Sequence, residues 1–456
     1  MVLVKPILKN FLNTIILLLK ATTFALLLFS FFYMFSLLPK MDHLLEINRT
    51  TAVTVLTFII VGTLMLKTYG SYDIGKKKSK PIIYSLAIAT FLTDLITFLM
   101  LSVMNTNAKF NPVFKLTGWW MLIPILIIQV CVLFVMVYLG NYIYFQICVP
   151  RKVLIIVDTH DDEAHKHIVS ALKQTKKQYS ISKIVDYHDL KDQDILDNDT
   201  IYIGDIPLRT RETIIEFCYK NLRHMLMRPS LADIVEVSSE QVILDDMLTI
   251  SADVKFLSLE QRFVKRAMDI VIALLGILFS SPIWIIASIF IKKEDGGPVF
   301  YKQPRLTRDG QVFNVLKFRT MKVNSENYPA QENDDRITKI GHILRRIRMD
   351  ELPQLFNILS GDMSVVGPRP EMVESYEVYK KEFPMFYYRL RVKGGLTGYA
   401  QIAGKYNTSR EDKLALDLLY IEKYSIWLDF KLILQTVTVF FKKDSTEGFN
   451  HKTDDE

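Results

Sequence analysis

The chain has 456 residues, enough for two or three domains, and half of them are hydrophobic. Its mean hydropathy is positive, which is high for a fully soluble protein. The net charge of +7 suits anionic lipid and phosphate-bearing ligands, and no basic stripe with interleaved aromatics stands out, so a nucleic-acid partner is not expected. Cys131, Cys148 and Cys218 share no metal-ligand spacing, which excludes a disulfide framework and a zinc site.

Four apolar stretches open the chain, at residues 21–39, 51–66, 81–104 and 116–149. A bilayer span takes roughly 20 apolar residues. The second stretch is slightly short, and the fourth is long enough to continue as a helix beyond the membrane. The first is expected to be a retained helix, because its apolar part is too long for a signal peptide and no small-residue cleavage site follows. Asp94 lies inside the third stretch and is expected to face a neighbouring helix, since lipid penalises a charge. Lys5 and Lys9 precede the first stretch, "GKKKSKP" follows the second, and Arg151 and Lys152 follow the fourth. By the positive-inside rule, the N-terminus and everything after residue 150 are expected in the cytoplasm.

Residues 151–255 change character. "KVLIIVD", "SKIVDY", "DTIYIGD" and "HMLMRP" are strand patterns, alternating with helical runs such as "DEAHKHIVSALKQ" and "RETIIEFCYKNL". This alternation predicts a small, Rossmann-like parallel sheet. A dinucleotide fold carries glycines in its first strand-to-helix turn. Here that turn reads "VDTHDDEAHK", without glycine and with Asp158, Asp161 and Asp162, which repel a pyrophosphate. The domain is expected not to bind nucleotide. His160, His165 and His167 are expected on a solvated face.

Residues 270–291 carry no charge and could span a bilayer by length. However, Lys265 and Arg266 precede them, and Lys292 and Lys293 follow, so both ends prefer the cytoplasmic side. Pro282 lacks an N–H and disturbs the preceding turn, while Ser280 and Ser281 can satisfy freed backbone groups. A re-entrant helix over about 265–291, broken at Ser281-Pro282, fits both features.

A polar, motif-dense domain follows. "GGPVFYKQPRLTRDGQVFNVLKFRTM" predicts a strand pair presenting Lys302, Arg305, Arg308, Lys317 and Arg319, cations of the kind a phosphate-rich ligand needs. In "RRIRMDELPQLFNILSGDM", Leu352, Leu355, Phe356 and Leu359 have helical spacing, ended by Ser360-Gly361. Asp350 is expected to cap this helix, with Glu351 beside it at the positive end. An ionised Asp is a candidate nucleophile toward phosphorus, and a neighbouring Glu can hold Mg²⁺ with substrate phosphate oxygens. The pattern equally suits an ordinary capping Asp with a surface Glu.

"KRAMD…SSPIW", "GGPVFYKQ", "LKFRTM", "MDELPQLFNILSGDMSVVGPRPE" and "GGLTGYAQIAGKYN…KLALDLLYIEKYSIWLDFKLILQTV" together resemble the bacterial sugar transferase family, the polyprenyl-phosphate sugar-1-phosphate transferases or monotopic phosphoglycosyl transferases, over about residues 261–443. The layout before them resembles the family's long, membrane-anchored members. The resemblance implies a mixed membrane protein: a four-helix transmembrane region over 1–150, a Rossmann-like domain over 151–255, and an α-rich catalytic domain with a re-entrant helix over 256–456. It implies that Asp350 is a nucleophile attacking the sugar-bearing phosphate of a UDP-sugar, with release of UMP. Undecaprenyl phosphate then takes the sugar phosphate, which initiates exopolysaccharide, capsule or O-antigen synthesis. Glu351 corresponds to the metal-associated Glu, with Mg²⁺ or Mn²⁺ as cofactor, and Lys317, Arg319, Arg345 and Arg369 fall on phosphate-binding positions. The implied setting is the bacterial cell membrane with a cytoplasmic catalytic domain, and a homodimer is compatible with it. Two departures stand out: Gly394 replaces a usual proline, and Arg348 a small hydroxyl residue. The alternatives from other classes are a membrane-bound scaffold or regulator of polysaccharide assembly and a phosphohydrolase.

Overall fold

The structure, a computed structural model, describes residues 11–39, 41–70, 73–75, 77, 79–106, 113–158, 162–175, 178–253, 257–323, 334–404 and 408–439. The chain forms two compact units, Met1–Arg228 and Pro229–Glu456.

The first unit opens with four long helices, α1 (Leu12–Ser36), α2 (Arg49–Tyr69), α3 (Ser79–Met104) and α4 (Leu122–Ile147). All four are long and apolar enough to cross a membrane. Their common core is aromatic, with Phe31, Phe35, Phe58 and Phe98 all buried. Asp94 on α3 is buried and meets Gln129 on α4, whose amide donates to Asp94 Oδ1 at 3.3 Å and to the Leu27 carbonyl of α1 at 3.2 Å. The charge predicted to avoid lipid thus sits in a three-helix contact. Of the loop cations used for orientation, Lys5, Lys9, Lys76 and Lys78 lie outside the described residues.

Then come β1 (Arg151–Val157), α5 (Asp162–Gln174), β2 (Tyr179–Asp186), α6 (Asp192–Leu196), β3 (Thr200–Ile203), α7 (Leu208–Lys220) and β4 (His224–Met227). The strands form a wholly parallel sheet in the order β2-β1-β3-β4. The uninterrupted apolar run of β1 is buried on both faces, as a central parallel strand requires. Residues 159–161 of the glycine-free turn, and the side chains of Asp162, His165 and His167, lie outside the described residues.

The second unit opens with α8 (Leu231–Ser238) and a hairpin of β5 (Glu240–Leu244) and β6 (Met247–Ser251). Next is α9 (Leu259–Asp295), a 37-residue helix capped by Ser258 and ended by Gly296 in the left-handed region. The sequence places a break at Ser281-Pro282, but the helical backbone runs on through both. The reason is local: Pro282 leaves the Leu278 carbonyl without its usual donor, and the Ser281 hydroxyl fills that place at 2.8 Å. Ser280 donates to the Gly276 carbonyl and accepts from the Trp284 indole.

The remaining elements are β7 (Phe300–Leu306), β8 (Val312–Phe318), α10 (Lys339–Arg346), α11 (Gln354–Ser360), β9 (Ser364–Val366), α12 (Val373–Glu382), β10 (Gly395–Thr397), α13 (Tyr399–Ala403), α14 (Arg410–Glu422) and α15 (Ile426–Val439). β7 and β8 form the predicted antiparallel pair, and β9 pairs with β10 in parallel. The core gathers Ile358, Met363, Phe386 and Tyr420 with Ala273 of α9.

One face of α9 is bound to this domain along its length. Lys265 is buried and donates to Asp429 at 2.6 Å and to the Val366 carbonyl at 3.0 Å. Asp269 accepts from Ser364 Oγ and Val365 N. Farther along, Trp284 packs on Phe318 and Phe356, and Glu294 accepts from the first N–H groups of α10. The opposite face exposes Val271, Leu274, Leu278, Phe279, Ile286 and Phe290.

Candidate active site

Asp350 and Glu351 stand between α10 and α11. Arg348 takes a left-handed backbone (φ 55°), and a chain of i to i+3 hydrogen bonds then leads through Leu352 and Pro353 into α11. The expected cap is therefore displaced: α11 begins at Gln354, and Asp350 lies in the preceding turn. Its carbonyl accepts from Phe318 N at 2.9 Å, which fixes this turn to the end of β8 and keeps Asp350 from capping.

β8 brings Lys317 to the dyad. Lys317 Nζ donates to Glu351 Oε1 at 2.9 Å. Arg369, in the "GPRPE" loop after β9, donates to the same oxygen at 2.6 Å and to Oε2 at 3.4 Å. Burial alone would raise the Glu351 pKa, but Arg369 and Lys317 hold it well below the usual carboxylate range. Asp350 goes the other way. Burial and the Glu351 charge push its carboxyl up, and Lys317, Arg345 and Arg369 pull it only part of the way back. Two adjacent carboxylates therefore have different electrostatic settings. Glu351 is ionised and neutralised by two hydrogen-bonded cations, which act on Asp350 through space.

Four of the six predicted charged residues come together here: Asp350, Glu351, Lys317 and Arg369. Arg345 donates to Thr320 Oγ1 at 2.9 Å and lies within the field of Asp350. Arg319 does not join them. Its side chain is buried and pairs with Asp295 at the end of α9, in space left by the missing side chain of Gly297. Ser281 and Pro282 lie within α9, where the Ser281 hydroxyl bonds the Leu278 carbonyl.

Several supporting residues escaped the sequence reading. Arg305 was counted as a cation, but its fixed role was not foreseen. It donates to the Pro370 carbonyl at 2.6 Å and to Gln303, behind Arg369, and burial beside Arg369 lowers its pKa to about 10. Arg389 donates to Asp417, to Glu371 and to the Arg369 carbonyl, and so holds the loop that carries Arg369. Gly394 also finds its reason. Its N–H donates to Thr307 Oγ1 at 3.2 Å, which a proline cannot do, and a Cβ there would meet Pro370 at 2.6 Å.

Among the described residues, no three His, Cys, Asp or Glu side chains gather as a metal cage. A metal bound by protein ligands alone does not fit. Glu351 Oε2, which accepts the longer Arg369 bond, is the oxygen less engaged by the cations and is where a divalent cation shared with a ligand's phosphate oxygens would be held.

A family profile described as Bacterial sugar transferase matches residues 260–443, the segment that contains α9, the dyad and its cations. The exopolysaccharide production protein ExoY of Rhizobium meliloti is 37% identical over 191 residues, 38% of this chain and 83% of that protein. The chain belongs to the bacterial sugar transferase family. A second relative in the family is the UDP-glucose:undecaprenyl-phosphate glucose-1-phosphate transferase of Caulobacter vibrioides, 38% identical over 40% of this chain and 71% of that protein. A third is the UDP-N-acetylgalactosamine-undecaprenyl-phosphate N-acetylgalactosaminephosphotransferase of Aeromonas hydrophila, 39% identical over 38% of this chain. The match covers only 43% of that protein.

Proposed function

We propose that this chain transfers a sugar-1-phosphate from a UDP-sugar to undecaprenyl phosphate and releases UMP, at the cytoplasmic face of a bacterial membrane, as a first step of exopolysaccharide, capsule or O-antigen synthesis. The names of two relatives support the substrate classes, and that of ExoY supports the exopolysaccharide setting. The observation that carries the reading is the asymmetry of the dyad: Glu351 is locked by Lys317 and Arg369, and Asp350 is left as the carboxylate that can react.

In this scheme an Asp350 oxygen attacks the sugar-bearing phosphorus. The bond from that phosphorus to UMP breaks, UMP leaves with the electron pair, and a phosphosugar-aspartyl intermediate forms. An oxygen of undecaprenyl phosphate then attacks the same phosphorus, and the Asp350 carboxylate departs unchanged. Lys317, Arg345 and Arg369 bind phosphate oxygens and favour the ionised form of Asp350. Glu351 would hold Mg²⁺ or Mn²⁺, which supplies positive charge against the diphosphate oxygens.

The two substrates differ in phase, one soluble and one in lipid, and α9 suits that meeting. A straight helix of its length would be about 55 Å long, longer than a bilayer's hydrocarbon core. Both its ends are nevertheless tied to one polar domain, Lys265 to Asp429 and Glu294 to α10. A helix crossing to the far side cannot keep both attachments. We therefore read α9 as entering and leaving on the cytoplasmic side, with its apolar face in lipid.

The test is UMP release from membranes supplied with undecaprenyl phosphate and a panel of UDP-sugars. Wild-type protein should release UMP with at least one sugar. Asp350→Asn should lose at least roughly a thousandfold in rate while inserting normally. Substantial UMP release by that variant would remove Asp350 from the role of nucleophile.

A further inference from the structure

A cavity of about 640 Å³ opens at the N-terminal end of α9, in the second unit. None of Asp350, Glu351, Lys317 or Arg369 lines it. α11 separates the two places: the dyad precedes its first turn, and Arg266 and Lys393 bond the carbonyls of its last turn.

The cavity wall is cationic beyond what its own acids neutralise. Arg262, Lys265, Arg266, Arg308, Arg391 and Lys393 line it, with Asp269 and Asp309 as the only lining acids among the described residues. Asp429 pairs with Lys265 and Glu422 with Arg391. With Asp362, whose charge reaches Lys393, six cations face five carboxylates. Arg266 and Lys393 donate only to carbonyls, and Arg262 Nε to the Leu257 carbonyl. Burial, with Arg266 and Arg308 beside it, lowers the Lys393 pKa, and Asp269 and Asp362 offset this only in part. A separate observation points into the same space. Tyr424 lines the cavity, and its hydroxyl is buried without a hydrogen-bond partner. A buried hydroxyl without a partner is costly unless a ligand or water completes it.

The rim is apolar. Leu257, Val392 and Ile421 line the cavity, and Phe263, one turn along α9 from Leu259, is 76% exposed on the helix that carries the lipid-suited face. We propose that this cavity binds the phosphate group of an anionic membrane lipid. The arginines hold the phosphate oxygens, Tyr424 donates to one of them, and the acyl chains run along the exposed side of α9. The site is separate from the reacting groups and does not depend on the proposed transfer chemistry.

The test uses the full chain. Protein is extracted from phosphatidylcholine vesicles doped with phosphatidylglycerol, and retained lipid is counted by native mass spectrometry. Wild type should retain phosphatidylglycerol. Arg262→Gln with Arg308→Gln should bind it at least about tenfold more weakly, the loss expected for a charge-assisted contact. Tyr424→Phe should also weaken retention, yet leave the thermal midpoint in lipid-free micelles unchanged or higher, because the lost hydroxyl has no protein partner. A parallel arm adds inorganic phosphate or pyrophosphate to lipid-free micelles. Stabilisation there that the double variant abolishes would keep the phosphate site but assign it to a soluble source. Equal lipid retention by wild type and double variant, with no phosphate-dependent stabilisation, would overturn the proposal.

Discussion

Replacing Arg389 by methionine tests whether the active loop is held from behind. Arg389 is 4% exposed and Asp417 2% exposed. Its guanidinium donates to Asp417 at 3.0 and 2.7 Å, to Glu371 at 3.0 Å and to the Arg369 carbonyl at 2.9 Å. Removing one partner of a buried ion pair leaves an uncompensated charge and costs about 3–5 kcal/mol. That is a large share of the roughly 5–15 kcal/mol that stabilises a typical domain. In micelles, near-ultraviolet circular dichroism should show the midpoint falling by roughly 10 °C. Arg389→Met combined with Asp417→Leu removes both charges and should recover most of that loss, because an apolar pair of similar volume is often neutral. UMP release should stay low in the double variant, since the Arg369 carbonyl and Glu371 still lack their donor. A single variant within about 2 °C of wild type, or a double variant with full UMP release, would refute this account.

Three further outcomes are expected. Because the Asp350 pKa is raised above 3.8, the acid limb of UMP release should lie above that of an ordinary carboxylate. Lys317→Met removes a charge that favours the ionised form, so this limb should move to higher pH, and an unmoved limb would contradict the pairing. A chelator should stop turnover and added Mg²⁺ or Mn²⁺ restore it, whereas full activity in excess chelator would exclude a metal at Glu351. In a background lacking Cys131, Cys148 and Cys218, cysteines at Asp253 and Lys380 should both resist an impermeant thiol reagent until cells are broken. Labelling of the second alone in intact cells would show that α9 crosses the membrane.

Local chemistry was readable where one segment contains its own cause. β1 to β4 follow from short apolar runs between polar turns, and the β7–β8 pair from alternation around Asp309-Gly310, whose backbones take positive φ as such a turn needs. The dyad and two of its cations stood within known motifs. The start of α11 was misplaced because the Asp350 carbonyl is engaged by Phe318, 32 positions earlier, a tie that no local cap signal announces. The serines beside Pro282 were read as partners for freed backbone groups, but the sequence does not say that the Ser281 hydroxyl closes the turn so fully that the helix runs on. Arg389 and Asp417 were not legible at all. Each looks like an ordinary charge on its own segment, and only packing 28 residues apart makes them a pair.

Ala273, Ala287 and Ile291 of α9 are buried among residues of the polar domain, and Gly276 lies against Leu355. One face of the helix is thus an internal rib of this body, and the other exposes large apolar side chains. Cutting the chain after residue 295 would not release a soluble enzyme, since it would strip Leu355, Phe318 and Asp429 of their cover and leave Asp429 without its lysine. On the proposed membrane placement of α9, formation of the active site is expected to accompany insertion rather than precede it. Any chimera that exchanges the leading helices should therefore be joined before Ser258, the cap at which this rib begins.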